Sequence, residues 1–169
     1  AGIIAGRKDL IKKIKSNPMK RALRVDKMTL AALEAVLRIY ANPESLTKKI
    51  PALRLLTKST AEIEAAAQAL LEPMQNFVGS THAVQIIDCK SQIGSGAQPV
   101  ELLPSKAIAI TSKTKRGGGK ALEKLGAKFR QLEQPVIGRI SDGQLQFDLR
   151  CLEKVEDLVA VLKTADQSP

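Results

Sequence analysis

The amino-acid sequence predicts an α/β protein. An edge strand and long linking helices lead into a two-layer small domain, whose roughly four-stranded, mainly antiparallel sheet carries helices on one face. Three observations predict it. The apolar period is helical through the first half of the chain and turns strand-like after Pro73. Asp142-Gly143 stands between two alternating runs and reads as a two-residue hairpin turn, because both positions accept positive φ. The elements after residue 80 run strand, strand, helix, strand, strand, helix, an order that one sheet covered by helices on a single side satisfies.

Taken in order, Ala1–Gly6 is a short apolar run bounded by glycine and reads as a strand. Lys8–Lys15 sets Leu10, Ile11 and Ile14 among cations, a small amphipathic helix that Asn17-Pro18 ends. Met19–Tyr40 changes character halfway. Its first half crowds Lys20, Arg21, Arg24 and Lys27 together; its second half spaces Leu30, Leu33, Val36, Leu37 and Tyr40 as one face of a buried or domain-joining helix capped by Asp26. Arg21 and Arg24 are three apart, so on a helix they point the same way. Asn42-Pro43 breaks this helix. A second helical stretch starts near Lys48 or Pro51 and runs through Glu72, with a capping box and a break near Ser59 and a stop at Pro73.

Ala83–Cys89 and Ala107–Ser112 read as strands, separated by the glycine-rich Ser91–Pro99. Lys113–Gly119 is a basic glycine-rich loop. It lacks the hydroxyl residue of a phosphate loop, because Ala121 follows Lys120, and it reads as a surface loop able to brush RNA. Ala121–Leu132 is helical. Val136–Arg150 is a hairpin pairing Ser141 with Gln144, Ile140 with Leu145, Gly138 with Phe147 and Val136 with Leu149, which sends Arg139, Gln146, Asp148 and Arg150 to the polar face. Leu152–Leu162 closes as an amphipathic helix.

Composition bounds the chemistry. The chain has 169 residues, 44% of them apolar but only 2% aromatic, so the expected core is aliphatic. Nothing approaches 18 consecutive apolar residues, so no membrane span is expected. Cys89 and Cys151 lack metal-ligand spacing and read as two buried thiols of a cytoplasmic protein. His82, the only histidine, reads as a loop residue before a strand, and no metal site is expected. The net charge of +10 attracts polyanions, with RNA and small anionic substrates both among the candidates.

The segments AGIIAG, KRALRVDKMTLAALEAVLRIY, LRLLT, SQIGSG, LPS and PVIGRISDGQLQFDLRCLE resemble the bacterial L-seryl-tRNA(Sec) selenium transferases, the selenocysteine synthases, along essentially the whole chain. The resemblance is to the C-terminal part of that family only. It implies a fold-type-I enzyme dependent on pyridoxal 5'-phosphate, whose cofactor lysine lies in a segment of the type GDKLLGGPQ, upstream of Ala1; no lysine in this chain is assigned as the imine-forming residue. It implies a division into residues 1–46 (end of the large cofactor domain and linking helix), 47–79 (helical connector) and 80–169 (small domain); the stop at Pro73 and the change of period place the last boundary between Pro73 and Thr81. It also implies seryl-tRNA(Sec) and selenophosphate as substrates, a ring of dimers at full length, and an isolated fragment without activity. Arg21 and Arg24 match the family's KRALR motif, whose arginines face cofactor and selenium donor; they are the candidate catalytic residues. Chemically, two guanidiniums suit such a dianion because each presents a fixed fork of donors that never deprotonates. Lys20, Lys27, Ser91 and Gln92 are further substrate-binding candidates. A competing expectation from charge alone is a basic RNA-binding module without catalysis, but the chain has no aromatic stacking platform.

Overall fold

A computed structural model of the chain describes residues 2–92, 102–114 and 117–166. The elements are α1 (Lys8–Ser16), α2 (Lys20–Leu23), α3 (Lys27–Tyr40), a 3-10 turn (Pro43–Ser45), α4 (Leu46–Lys49), α5 (Pro51–Leu56), α6 (Thr60–Val78), β1 (His82–Gln92), β2 (Leu102–Ser112), α7 (Gly118–Arg130), β3 (Arg139–Ser141), β4 (Gln144–Asp148) and α8 (Val155–Asp166). They form two compact units that divide between Pro51 and Ala52.

The first unit is helical, and none of its described residues is buried. Gly2–Gly6 forms no strand, contrary to expectation: a strand exists only through its ladder, and no described segment pairs with this one. Met19–Tyr40 holds two helices, the second starting where the expected Asp26 cap puts it. Arg24 is extended (φ −68°, ψ 142°), and α3 begins at Lys27 under an Asp26 cap whose carboxylate accepts from Thr29 N at 2.9 Å and Thr29 Oγ1 at 2.7 Å. The apolar face expected to be buried stands about half exposed at Leu30, Leu37 and Tyr40.

The second unit holds the core. β1 and β2 pair antiparallel over eleven residues each, β4 joins β2 and β3 joins β4, giving the order β1-β2-β4-β3. The expected hairpin register holds at Ile140–Leu145 and Ser141–Gln144; the ladder adds Arg139–Gln146 and ends there, so the expected pairs Gly138–Phe147 and Val136–Leu149 do not form. It turns at Asp142 (φ 52°) and Gly143 (φ 71°). Ile108, Ile110, Leu145 and Phe147 face α6, α7 and α8 in one cluster, so these helices share one face of the sheet. The core is aliphatic, as expected, except for three phenylalanines: Phe129 lies 4.8 Å from Phe77 and 4.7 Å from Phe147 between ring centroids. All three phenylalanines of the chain therefore meet at one point, where their ring geometry adds to area burial.

Helix α6 belongs to the second unit and packs on its sheet. It buries Ile63, Ala67, Leu70, Met74 and Phe77 against the sheet, each large side chain contributing about 2 kcal/mol. Pro73 does not end it. Packing of Met74, Phe77 and Val78 carries the helix past the proline to Gly79, whose φ of 75° lets the chain turn away. The expected capping box is present: Ser59 Oγ accepts from Glu62 N, and the Glu62 carboxylate accepts from Ser59 N.

The polar face expected of the hairpin is only partly exposed. Gln146 and Arg150 are buried. Arg150 follows β4 and turns inward, where its Nη1 donates to the carbonyls of Leu55, Leu56 and Lys58 at 3.2, 3.1 and 2.9 Å and its Nη2 to that of Pro104 at 2.5 Å. One guanidinium thus holds the end of α5 and the α5–α6 joint to β2.

Candidate functional site

The four cations read from the sequence cluster around the break between α2 and α3. α2 is a single turn, entered through Asn17 Oδ1 accepting from Met19 N at 2.9 Å, and it carries Lys20 and Arg21. Arg24 and Lys27 flank the extended residues that separate it from α3. All four are exposed. Among the described residues none has a carboxylate within 4 Å. The two acids nearest in sequence are engaged elsewhere: Asp26 caps α3, and Glu34 pairs with Arg38 Nη2 at 2.7 Å.

Arg24 and Lys27, with Gly2, Leu23, Asp26 and Met28, line an open cavity of about 640 Å³. Arg21 and Lys20 are not part of its wall. The single-face argument for Arg21 and Arg24 therefore fails, because Arg24 lies outside the helix that would align them. The structure brings Arg24 and Lys27 together instead. Their charges add to the positive end of the fourteen-residue α3, a field suited to a small oxyanion and partly offset by Asp26.

Ser91 is placed differently from the substrate-binding expectation. It is buried, and its hydroxyl donates to Asp148 Oδ2 at 2.5 Å. Ser105 Oγ donates to Asp148 Oδ1 at 2.7 Å. One carboxylate from β4 thus ties hydroxyls from β1 and β2, and Ser91 is engaged in holding the sheet. Gln92 closes β1 on the surface. The Ile93–Gly96 portion of the glycine-rich motif, and Lys115 and Arg116 of the basic loop, lie outside the described residues.

Both cysteines are free. Cys89 is half-buried, and burial together with the Asp148 carboxylate pushes its thiol up; Cys151 is exposed rather than buried. Among the described residues no group of three or more His, Cys, Asp and Glu stands close enough to hold a metal ion. His82 opens β1 rather than ending a loop.

The lysines bear on pyridoxal phosphate, which needs an amine that can lose its proton to form an imine. No described lysine is buried. Lys106 moves the opposite way: Glu64 at 2.6 Å and Asp88 at 2.9 Å hold its ammonium protonated, its pKa pushed up to about 12. The described lysines do not fit the role of cofactor lysine.

Uncommitted guanidinium and ammonium groups beside an open cavity, joined to a helix-covered antiparallel sheet, are the chemistry of an α/β protein receptive to anions. The comparisons narrow that class. The sequence profile of the SelA family, L-seryl-tRNA selenium transferase, matches residues 1–153. The L-seryl-tRNA(Sec) selenium transferase of Escherichia coli (strain SMS-3-5 / SECEC) is 53% identical over 162 residues, 96% of this chain and 35% of that protein. Its namesake in Shigella boydii serotype 18 is 52% identical over the same shares of the two chains. The chain belongs to the L-seryl-tRNA selenium transferase family, and it spans 35% of the length of the curated relatives it matches.

Proposed function

We propose that this chain is the C-terminal portion of an enzyme that converts seryl-tRNA(Sec) to selenocysteyl-tRNA(Sec) with selenophosphate as selenium donor. The observation that carries this is 53% identity across 96% of the chain to a protein named for that transfer. On this reading the second unit is the small domain of a fold-type-I enzyme acting in the cytoplasm as a ring of dimers. Pyridoxal phosphate, held by the remainder of the full-length protein, supplies the electron sink for loss of the serine hydroxyl.

The part assigned to this chain is anion handling. Arg24 and Lys27 bind and orient the oxyanion of the selenium donor, and Arg21 and Lys20 add positive potential at its approach. A guanidinium keeps its charge at every working pH, so the site needs no proton to be placed before the anion arrives.

The test is selenium transfer by the full-length protein carrying Arg24→Ala. Losing a charge-assisted anchor is expected to cost about 2–3 kcal/mol of transition-state stabilisation, a fall in kcat/KM for selenophosphate of about 30- to 150-fold, with Arg24→Lys intermediate. Arg38→Ala serves as control, since Arg38 already pairs with Glu34 on an exposed helix face. Wild-type protein without selenium transfer would overturn the assignment of function. Equal effects of Arg24→Ala and Arg38→Ala would overturn the role of Arg24 alone.

A further inference from the structure

Helix α7 in the second unit carries a second cationic surface that the anion site does not use. Lys120, Lys124 and Lys128 are exposed and recur every fourth residue, so they share one helix face. With a 1.5 Å rise per residue the stripe is about 12 Å long. Phe77, His82, Lys124, Lys128 and Gln131 line a shallow concavity of about 600 Å³ beside it. Lys128 Nζ sits 4.1 Å from the Phe77 ring centroid, which fixes one end of the stripe by a cation–π contact.

This arrangement works against the helix that bears it. Like charges four residues apart repel, each pair costing a few tenths of a kcal/mol. Lys120 lies in the first turn, where the helix dipole disfavours a cation, and that turn contains no acid. Glu123 stands on the flank, yet among the described residues none of the three lysines forms an ion pair with it or with any other carboxylate. A bound polyanion would relieve each of these costs at once.

From this we infer that the α7 lysine face is a docking surface for the phosphate backbone of RNA. A line of ammonium groups about 12 Å long is enough to meet several successive phosphates of one strand, which in duplex DNA recur about every 3.4 Å along the axis. Lysines act here as point charges, and Phe77, the ring beside the stripe, is buried, so the contact positions RNA without reading its bases. The choice of RNA rests on the proposed function, in which the substrate is a charged tRNA; the stripe itself is independent of it.

The experiment measures binding of an unacylated tRNA(Sec) transcript to the chain across a salt series. Three chains are compared: wild type, Lys120→Gln/Lys124→Gln/Lys128→Gln, and Lys12→Gln/Lys13→Gln/Lys15→Gln, which removes the same charge from α1. The α7 triple is expected to weaken binding at least 10-fold at low salt and to flatten the slope of log K against log salt by about two to three, each lysine contributing nearly one. The α1 triple should change the slope by less than one. Thermal unfolding verifies each fold; should the α7 triple not fold, Lys124→Gln alone must flatten the slope by about one. Equal losses in the two triples would reduce the effect to net charge and overturn the inference. An unchanged slope in the α7 triple would overturn it too, as would a wild type that binds poly-glutamate in preference to RNA. Failure here leaves selenium transfer by the full-length protein unaffected, whereas absence of that activity leaves the salt slopes intact.

Discussion

Replacing Arg150 by alanine is expected to destabilise the second unit by about 3–5 kcal/mol. Arg150 is buried, with 5% of its surface exposed, and it donates to four main-chain carbonyls and to no carboxylate. Three of those carbonyls surround Nη1, which has only two N–H groups, so about three full hydrogen bonds are formed. Bonds from a charged donor contribute about 1.5–3 kcal/mol each. Against this stands the cost of taking the guanidinium out of water, with Nε left without a partner. The carbonyls decide the balance. Those of Leu55 and Leu56 belong to the last turn of α5, where no further helical N–H reaches them, and without Arg150 these part-buried acceptors lose their donor.

The assay is denaturant and thermal unfolding of the chain carrying Arg150→Ala, Arg150→Met or Arg150→Lys. A loss of 3–5 kcal/mol corresponds to a fall in midpoint of about 10–15 °C in a chain of this size. Arg150→Met keeps the volume and still strands the carbonyls, so it should lose nearly as much as alanine. Arg150→Lys keeps the charge, but one ammonium cannot span both the α5 end and Pro104, so about half the loss should return. An Arg150→Met chain as stable as wild type would refute the reasoning, because it would mean that desolvation of the guanidinium outweighs its four contacts.

Gly138→Ala should cost about 1–3 kcal/mol in the same assay, since an added Cβ would stand 2.7 Å from Phe147 Cε1 and 3.0 Å from both Gln146 O and Leu145 Cδ1; a neutral substitution would show that the hairpin shifts freely away from the core. The Lys106–Glu64 pair should couple over a defined pH window, read by a double-mutant cycle of Lys106→Met and Glu64→Gln. Glu64 is held below its ordinary value by Lys106 and Gln68, so its share of stability is present above about pH 4.5 and is lost as pH falls through the depressed folded value. Lys106 is raised to about 12, so its share is complete below about pH 10.5 and is lost as pH rises through 12. Coupling that does not weaken at any pH below about 4.5 would contradict this assignment.

The features legible in the sequence were those settled by neighbours along the chain. Asp142-Gly143 sets the hairpin register because turn chemistry and side-chain alternation act within ten residues of each other. Ser59 and Glu62 declare their capping box over three residues, and Asp26 its cap over the same distance. What stayed hidden depends on partners far away. Pro73 is a helix breaker by local rule, and only the core beneath Met74 and Phe77 overrides it. Ser91 meets Asp148 across 57 positions, and Arg150 meets Leu55 across 95. A glycine-rich stretch and a hairpin end carry no mark of such contacts, so Ser91 read as a ligand and Arg150 as a surface charge. The candidate site fell between these cases: the cations were visible, but their relative direction turned on the extended junction at Arg24 and Asp26.

The two cationic surfaces differ in kind, and the difference follows from the side chains. Around the start of α3 the chain combines Lys27 with arginine, whose planar fork demands a partner of matching shape and suits one small oxyanion held in one pose. Along α7 it uses only lysine on the exposed stripe, spaced as a line, with no carboxylate paired to it among the described residues. Compact ammonium groups on flexible stems impose no orientation, so they suit a partner that presents many equivalent phosphates and slides into register. On the proposed function, the full-length enzyme acts on a small anion and a large nucleic acid, and it then needs both kinds of contact. It also needs them to respond differently to salt: the arginine site through a few local bonds, the lysine stripe through counterion release that steepens with every phosphate engaged. Measuring donor KM and RNA affinity across one salt series therefore separates the two surfaces without any mutation, since the RNA term should fall by orders of magnitude over a range in which the donor term changes only a few-fold.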